Sequence, residues 1–334
     1  MIKKATIAVI LLVFLSFAFI GCKKQSEDSG ISDAGDNKLT AIYSYWPPDM
    51  MVYLADKKGF FEEEGLDVNL VKVDGISDAA EKRKTQEIHV WAYPILDFIK
   101  EIVDNKEAES RVFLIEDFSE GADGLISYTL SDIGQLVGKK IGAESGTVGE
   151  YFLNIVLTDH DIPKDEVEIV NINYADIISS LKDGKIDAGV TYEPDLSSAV
   201  VDGATVLADS KTVRRSIVDV YVANESDLVA RPNVYRGFAK AIEKAIEFNK
   251  NYPYEAADLM YEELGIEKEE VVKAFETLHL PNIDLNKKLF DPLAGHDSIY
   301  NLARLAMNYL EDQGQVIDII ELEKLFYKDI VNSI

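Results

Sequence analysis

The feature that most constrains the fold is a regular alternation of short apolar segments and amphipathic segments across residues 39–216. Residues 39–43 and 66–73 have the length of buried strands, whereas residues 50–58 and 78–86 have the length of helices. A strand that is followed by a helix and another strand pairs in parallel, because the helix returns the chain to its starting edge. The sequence therefore predicts an α/β fold with open parallel or mixed sheets and flanking helices.

The pattern changes after residue 216, where one more strand at residues 217–222 precedes an almost wholly helical region. Apolar residues recur there at three- and four-residue spacing, which places them on one buried helix face. The clearest set is Val234, Phe238, Ala241, Ile242 and Ala245. Residues 297–310 and 317–326 repeat the pattern, so helices that pack on a core are predicted there too.

The first 21 residues are typical of a signal peptide. Lys3 and Lys4 precede an apolar run at residues 5–20, which is shorter than the ~20 residues of a membrane-spanning helix. Phe19-Ile20-Gly21-Cys22 resembles a bacterial lipobox, which predicts cleavage before Cys22, the single cysteine, and its lipidation. Residues 22–38 are then predicted to form a flexible tether, because they have almost no apolar side chains. An uncleaved anchor is the alternative, and either places the folded part in the cell envelope, facing the periplasm or the exterior.

The acidic balance of the chain excludes some functions. There are 34 Lys and Arg residues against 60 Asp and Glu residues, a formal net charge of −26. Such a charge repels a phosphate backbone, so nucleic-acid binding is excluded. The four histidines are far apart in sequence, and no GxSxG, phosphate-binding loop or dinucleotide fingerprint is present. No catalytic residue, metal site or cofactor is therefore predicted.

Two segments of the chain echo one another. Residues 87–94 and 185–194 each form a predicted strand that ends in an aromatic residue followed by a proline. Repetition of this kind predicts two similar α/β lobes, whose ligand would bind at the carboxyl ends of the strands. Chance similarity is the alternative for so short an echo.

Six segments carry a more specific resemblance: residues 53–61, 64–68, 122–125, 139–142, 145–147 and 190–194. In this order they resemble the nitrate/taurine (NitT/TauT) family of ABC-transporter solute-binding proteins, which also includes alkanesulfonate and thiamine-precursor binders. The resemblance implies the two-lobed periplasmic-binding-protein fold (type 2) with a ligand cleft between the lobes. It places lobe 1 at residues 39–125 and 218–334 and lobe 2 at residues 126–217, with crossovers near residues 124–129 and 219–223.

The same resemblance implies that the protein works by hinge closure. A ligand that contacts both lobes stabilises the closed state, which an ABC permease with its ATPase then recognises. The implied protein is a monomeric, membrane-tethered binder of a small molecule and not an enzyme. Two other classes stay open: a sensor lipoprotein without a transporter, and an enzyme, because a pyrimidine-synthesising enzyme belongs to the wider resemblance.

Ligand-binding residues follow from the resemblance as well. Ser145, Gly146 and Thr147 open a helix, where backbone N–H groups can hold an oxygen of the ligand, or Ser145 is simply the helix N-cap. Glu193 accepts a hydrogen bond from a ligand amine or ring N–H, or it is a solvated loop acid. The remaining predicted ligand-binding residues are the aromatic walls Tyr45, Trp46, Tyr93 and Tyr192 and the crossover residues Asp123, Gly124 and Asp219.

The matched segments also bear on the ligand. They contain few basic residues beyond Lys139 and Lys140, whereas aromatic residues are frequent. This favours an aromatic nitrogen heterocycle, such as a thiamine-type pyrimidine precursor. Taurine, another alkanesulfonate or a nitrate-like anion is the alternative ligand.

Overall fold

The computed structural model describes residues 37–105, 109–213, 217–295, 298–314 and 320–334. The predicted signal peptide, Cys22 and nearly all of the predicted tether lie outside these residues. Within the described ranges, no helix combines the length and the apolar character needed to cross a bilayer.

Strands and helices alternate through the first two thirds of the described chain, and helices dominate the rest. The strands are β1 (Lys38–Tyr43), β2 (Asp67–Lys72), β3 (Trp91–Pro94), β4 (Ser110–Ser119), β5 (Asp123–Ser127), β6 (Lys140–Ala143), β7 (Glu168–Asn171), β8 (Ala188–Tyr192), β9 (Thr205–Asp209), β10 (Val218–Asn224) and β11 (Leu278–His279). The helices are α1 (Met50–Lys57), α2 (Phe60–Glu63), α3 (Ile76–Thr85), α4 (Ile95–Asp104), α5 (Val148–Asp159), α6 (Tyr174–Lys182), α7 (Asp195–Val201), α8 (Glu225–Ala230), α9 (Pro232–Asn251), α10 (Pro253–Leu264), α11 (Lys268–Phe275), α12 (Ile283–Leu289), α13 (Ile299–Asp312) and α14 (Asp329–Asn332).

The first lobe contains a four-stranded antiparallel sheet and a two-stranded parallel sheet beside it. Its antiparallel part has the order β11-β4-β10-β3. The parallel pair β1–β2 extends it, because the Ile42 N–H donates to the Val90 carbonyl, 2.9 Å away and next to β3. Helix α9 buries the face that the apolar spacing predicts, and its Phe238 packs on Phe113 of β4 and Tyr221 of β10.

The second lobe has its own sheet, with the order β7-β6-β8-β5-β9. Strand β6 pairs in parallel with β7 and β8, whereas β5 is antiparallel to β8 and β9. Strands β3 and β8, which carry the sequence echo, lie in different sheets. The predicted α/β class with open, mixed sheets is confirmed.

The chain passes between the two sheets twice, from β4 to β5 and from β9 to β10. The two crossings are tied together, because the hydroxyl oxygens of Ser119 and Ser210 are 2.6 Å apart. Strand β5 pairs wholly within the second sheet, so the predicted lobe boundary after residue 125 falls inside it. Residues 219–223 pair with β4 in the first sheet, so the return crossing comes before them and not within them.

Two local predictions are wrong. Within the predicted strand at residues 87–94, strand β3 begins only at Trp91, because Val90 makes only an isolated bridge to Ala41. In the described part of the predicted helix at residues 317–326, only a short 3-10 turn forms, at Leu322–Leu325. The chain then extends along β4, where the Tyr327 N–H donates to the Val112 carbonyl at 2.8 Å. Pairing with the sheet overrides the helical pattern of the sequence there.

Candidate ligand site between the lobes

The two lobes touch on more than one side. Trp46, which follows β1, meets Tyr192 at the end of β8 edge-to-face, with ring centroids 5.7 Å apart. The Lys100 ammonium of α4 donates to the Gly146 carbonyl of the second lobe, 2.9 Å away. The Trp46 indole N–H also donates to Asp117 of β4 at 3.3 Å. The end of β4 therefore lies at the junction of the lobes, beside the aromatic contact.

The aromatic contact continues into the second lobe. Tyr174, the first residue of α6, lies edge-to-face with Tyr192 at 4.8 Å between ring centroids. Its hydroxyl is 3.3 Å from the hydroxyl of Thr147. A Cβ on Gly149 would collide with this Tyr174 hydroxyl, so only glycine lets the ring approach the start of α5 so closely. Trp46 and Tyr192 were predicted ligand residues, whereas Tyr174 was not.

Three buried carboxylates converge next to these rings. One carboxylate oxygen from each of Glu116, Asp117 and Asp219 lies within 4.8 Å of the other two, which would let one cation contact all three side chains. Asp117 is paired with Asp219, but Ile115 is paired with Val220, so Glu116 is an extra residue in β4. Such a β-bulge re-aims side chains locally and is common beside functional sites. It allows two consecutive acids of one strand to serve the same group.

Asp49, at the start of α1, and Asp123, at the start of β5, belong to the same electrostatic neighbourhood. Burial raises the pKa of Asp49 to about 6. Burial, and then the nearby Glu193, raise the pKa of Asp123 to about 6. We call Asp49, Glu116, Asp117, Asp123 and Asp219 the junction carboxylates, and each is less than a tenth exposed.

The other junction carboxylates are perturbed more strongly. Burial, followed by the charges of Asp49 and Asp117, raises the pKa of Glu116 well above its ordinary value. Burial, followed by Asp117 and Asp123, does the same to Asp219. Burial also raises the pKa of Asp117. These acids repel one another in a region that water barely reaches.

Many of these oxygens have no hydrogen-bond partner within the described residues. They are both oxygens of Glu116, Asp117 Oδ2, Asp123 Oδ2 and Asp219 Oδ1. The buried hydroxyl of Tyr221 makes no hydrogen bond of ordinary geometry there, although it lies close enough to Glu116 for that carboxyl to add to burial in raising the pKa of Tyr221. A buried carboxylate without a partner costs several kcal/mol. The group can therefore gain most from a ligand that supplies hydrogen-bond donors.

The predicted anion-binding loop is already satisfied by the chain. The Ser145 N–H donates to the side-chain oxygen of Asn171 at 3.0 Å, and the Gly146 N–H donates to a carboxylate oxygen of Glu150 at 2.8 Å. Both backbone donors at residues 145 and 146 therefore face acceptors of the chain and not an open site.

The remaining groups at the N-terminus of α5 also have partners within the chain. Thr147 is the N-cap of α5, since its hydroxyl accepts from the Gly149 N–H at 3.2 Å; the alternative role of Ser145 as N-cap is wrong. Burial raises the pKa of Asp97 to about 7, against the opposing effects of Lys100 and the Val148 N–H. An acid of the first lobe thus lies at the N-terminus of α5.

Glu193 is held within the second lobe. Its two carboxylate oxygens accept from the Ser197 N–H at 3.1 Å and the Ser197 hydroxyl at 2.7 Å, at the first turn of α7. Glu193 is only 2% exposed, so the alternative of a solvated loop acid is wrong. Burial raises its pKa. Its predicted contact with a ligand stays a prediction.

Tyr45, Tyr93 and Gly124 have other surroundings. Tyr45 is 42% exposed, and the Lys72 ammonium lies 4.1 Å from its ring centroid. The buried Tyr93 hydroxyl accepts from Arg83 at 3.0 Å. A Cβ on Gly124 would lie 2.9 Å from Leu196 of α7, so this glycine serves packing inside the second lobe. Nothing in this geometry adds support to their predicted roles as ligand contacts.

Sequence reasoning missed Asp49, Glu116 and Asp117. A signal was present, because Glu116 and Asp117 are adjacent acids that directly follow the apolar residues 112–115 of β4 and precede Phe118. Acids are almost never fully buried unless they are paired, so two of them in a buried strand indicate a site.

The architecture is that of the periplasmic binding proteins. The solved structure of the periplasmic aliphatic sulphonate binding protein SsuA from Escherichia coli matches with a TM-score of 0.73. The match covers 87% of this chain and 92% of that protein at 12% sequence identity. This likeness confirms the predicted two-lobed fold.

The chain belongs to the NMT1/THI5-like family, whose model matches residues 46–256. A relative in Candida albicans (strain WO-1), a 4-amino-5-hydroxymethyl-2-methylpyrimidine phosphate synthase, is 24% identical over 310 residues, covering 85% of this chain and 84% of the relative. The taurine-binding periplasmic protein of Escherichia coli (strain K12) is 28% identical over 144 residues, covering 42% of this chain and 45% of the relative. The predicted resemblance to nitrate/taurine-type solute-binding proteins is confirmed.

Proposed function

We propose that the protein is an extracytoplasmic solute-binding protein of an ABC importer, which captures one small organic molecule between its lobes by hinge closure. The observation that carries this proposal is the set of unpartnered, buried carboxylate oxygens where the lobes meet. A solute that satisfies them and also contacts the second lobe stabilises the closed arrangement selectively. The partner that recognises this closed arrangement is a permease with its ATPase.

The connections between the lobes support such a motion. The two crossings are tied at Ser119 and Ser210, and Asp123 just beyond them donates its N–H to both hydroxyls, at 3.2 and 3.3 Å. Opening about this point would separate Trp46 from Tyr192 and release Lys100 from Gly146. Those contacts would therefore exist only in the closed arrangement, and a ligand that favours this arrangement shifts the equilibrium between the open and the closed state.

A nitrogen heterocycle of the thiamine-type pyrimidine class is the favoured ligand. Trp46 and Tyr192 offer flat apolar surfaces, and the junction carboxylates accept hydrogen bonds from ring N–H and amino groups. The relative in Candida albicans is named for a pyrimidine with an amino group. Taurine is the alternative, because it carries an ammonium group besides its sulfonate.

The remaining parts of the proposal concern the setting of the protein. Lipidation of Cys22 would hold a monomer at the membrane surface, where it can meet a permease. A sensor lipoprotein would use the same closure without a permease. An enzyme on this fold is a second alternative, since one relative is named a synthase.

Differential scanning fluorimetry and small-angle X-ray scattering of the full chain test the proposal together. The panel contains 4-amino-5-hydroxymethyl-2-methylpyrimidine, taurine, an alkanesulfonate without an amine, and nitrate. We expect one solute to raise the melting temperature and reduce the radius of gyration, and mass spectrometry to recover it unchanged. Conversion of the solute would indicate an enzyme, and no response to any solute would contradict the proposal.

A further inference from the structure

We infer that the solute is an organic cation, whose positively charged nitrogen binds to Glu116, Asp117 and Asp219 beside the rings of Trp46 and Tyr192. This inference rests on the proposed function and specifies its substrate class. Ammonium and amidinium groups, including protonated aminopyrimidines, belong to this class.

The charge of the site is the first argument. Among the described residues, the ion pairs of Lys, Arg and His side chains all involve acids other than the junction carboxylates, such as Glu101, Glu225 and Asp227. Ionised carboxylates whose oxygens lie within 4.8 Å of one another would repel strongly where water is excluded, which is why their pKa values are raised. A positive charge that enters from outside removes this repulsion and supplies the missing donors at once.

The hydroxyl of Tyr221 is an independent second argument. It is 1% exposed and makes no hydrogen bond of ordinary geometry within the described residues, and of the nearby acids Glu116 interacts with it most strongly. Tyr221 is two residues from Asp219 on β10, so both side chains leave the same face of the strand. A buried tyrosine normally finds a partner for its hydroxyl, and the missing one lies on the same side as the missing counterion.

The aromatic rings favour an organic cation over a metal ion. Trp46 already donates to Asp117, so its ring is held against the carboxylates, and Tyr192 lies across from it in the second lobe. Aromatic faces attract organic ammonium groups at about 6 Å or less from the ring centroid and give them apolar contact as well. A small, hydrated metal ion would gain little from these rings.

The donors at the start of α5 argue against an anion. The N–H groups of Ser145 and Gly146 already donate to Asn171 and Glu150. An oxyanion that bound there would have to displace acceptors that the chain itself supplies.

Matched pairs of probes test the charge by isothermal titration calorimetry on the full chain. Choline is compared with 3,3-dimethyl-1-butanol, which replaces the charged nitrogen by carbon, and taurine with isethionate, which replaces the ammonium by a hydroxyl. We expect the charged member of at least one pair to bind, with at least tenfold loss in its partner. Equal binding within a pair, or a full thermal shift from calcium, magnesium or zinc ions alone, would overturn the inference.

A pair of variants decides the inference even where no probe binds. Glu116→Gln removes a buried acid whose ionisation is opposed by burial and by neighbouring acids, so we expect the melting temperature of the solute-free protein at pH 8 to rise. Glu101→Gln is the matched control, because Glu101 is ion-paired with Arg83 at 2.6 Å, and it should lower that temperature. A fall with Glu116→Gln as large as with Glu101→Gln would show that Glu116 is already compensated and would contradict the inference. Lack of binding by every probe and every solute of the panel counts instead against the proposed function.

Discussion

Two acidic regions of the first lobe use the same residue types with opposite electrostatics. Glu101 makes two hydrogen bonds to Arg83, at 2.6 and 2.7 Å, and the guanidinium also lies 3.9 Å from the centroid of the Trp91 ring. Although burial opposes it, this guanidinium keeps the pKa of Glu101 below its ordinary value. Glu116 is more deeply buried, and its neighbours are other acids that keep its pKa well above the ordinary value.

Only one of these two acidic regions is incomplete without a ligand. The Arg83–Glu101 pair joins α3 to α4 inside one lobe and is complete without a ligand. The junction carboxylates lie between lobes, and within the described residues their counterion is missing. The first region contributes to folding stability, whereas the second costs stability that a bound cation restores.

The largest expected effect is on the paired region. Arg83→Met should lower the free energy of unfolding by about 3 kcal/mol, because it leaves Glu101 partly buried without its partner. Urea denaturation of the solute-free protein measures this. Lys38→Met is the control, since its pair with Asp67 is exposed and 3.7 Å long, and it should change stability by less than about 0.5 kcal/mol. Equal losses of unfolding free energy in Arg83→Met and Lys38→Met would contradict the prediction that the buried ion pair contributes more than the exposed one.

Trp46→Ala should come next and should act on binding. Loss of the ring that holds the cation against the carboxylates should weaken affinity about 30-fold. The melting temperature of the solute-free protein should fall only modestly, because Asp117 loses its indole N–H donor. Tyr254→Ala is the control, because Tyr254 is 56% exposed on α10, and it should leave affinity unaltered. The assignment of the aromatic wall is wrong if both variants bind the solute equally well.

The pH dependence of the two regions should have opposite signs. The pKa values of the junction carboxylates Asp49 and Asp123 are both raised to about 6, so their protonated forms favour the folded state. Stability from these two groups is fully present below the unfolded pKa of about 4 and is lost as pH rises through about 6. Stability from Glu101, whose pKa is lowered, is present above its unfolded pKa and is lost only in acid.

The solute-free melting temperature should therefore rise by about 4 °C between pH 8 and pH 5.5, whereas the cation-induced shift should shrink over the same range. Scanning calorimetry at both pH values, with and without the solute, measures both. A solute-free protein that loses stability over this range would show that the junction carboxylates are already compensated.

How much of this is predictable from the sequence differs between the fold and the site. The apolar face of α9 and the alternation of strands and helices were predictable, because local periodicity decides them. Four residues predicted as ligand contacts lie at the junction: Trp46, Asp123, Tyr192 and Asp219. Glu116 could not be placed there, because its position depends on a bulge that only the pairing of β4 with β10 determines.

The start of α5 shows a second limit of prediction from the sequence. Loop residues 145–147 match an anion-binding pattern, but that pattern does not reveal which acceptors reach the N–H groups first. Asn171 is far from Ser145 in sequence, so only the fold brings it to this loop, whereas Glu150 follows Gly146 by four residues in the first turn of α5. Polar satisfaction is a tertiary property, so a local motif predicts the geometry of the donors but not their availability.

The smallest expected effect concerns the aromatic contact of the second lobe. Gly149→Ala should push the Tyr174 ring away from α5 and weaken solute affinity about threefold. Adding Tyr174→Phe removes the oxygen nearest to the new methyl group and should recover part of the loss. Titration calorimetry of the two variants measures both affinities. An unchanged affinity in Gly149→Ala would show that Tyr174 is not part of the surface that binds the solute.

A crystal structure of the full chain with the solute that it carries from its native cell would test the central claim most directly. We predict one organic molecule between the lobes, with a positively charged nitrogen about 2.7–3.2 Å from oxygens of Glu116 or Asp219 and with its body against Trp46. A metal ion or an anionic group in that position, or a solute bound away from the junction, would contradict the account.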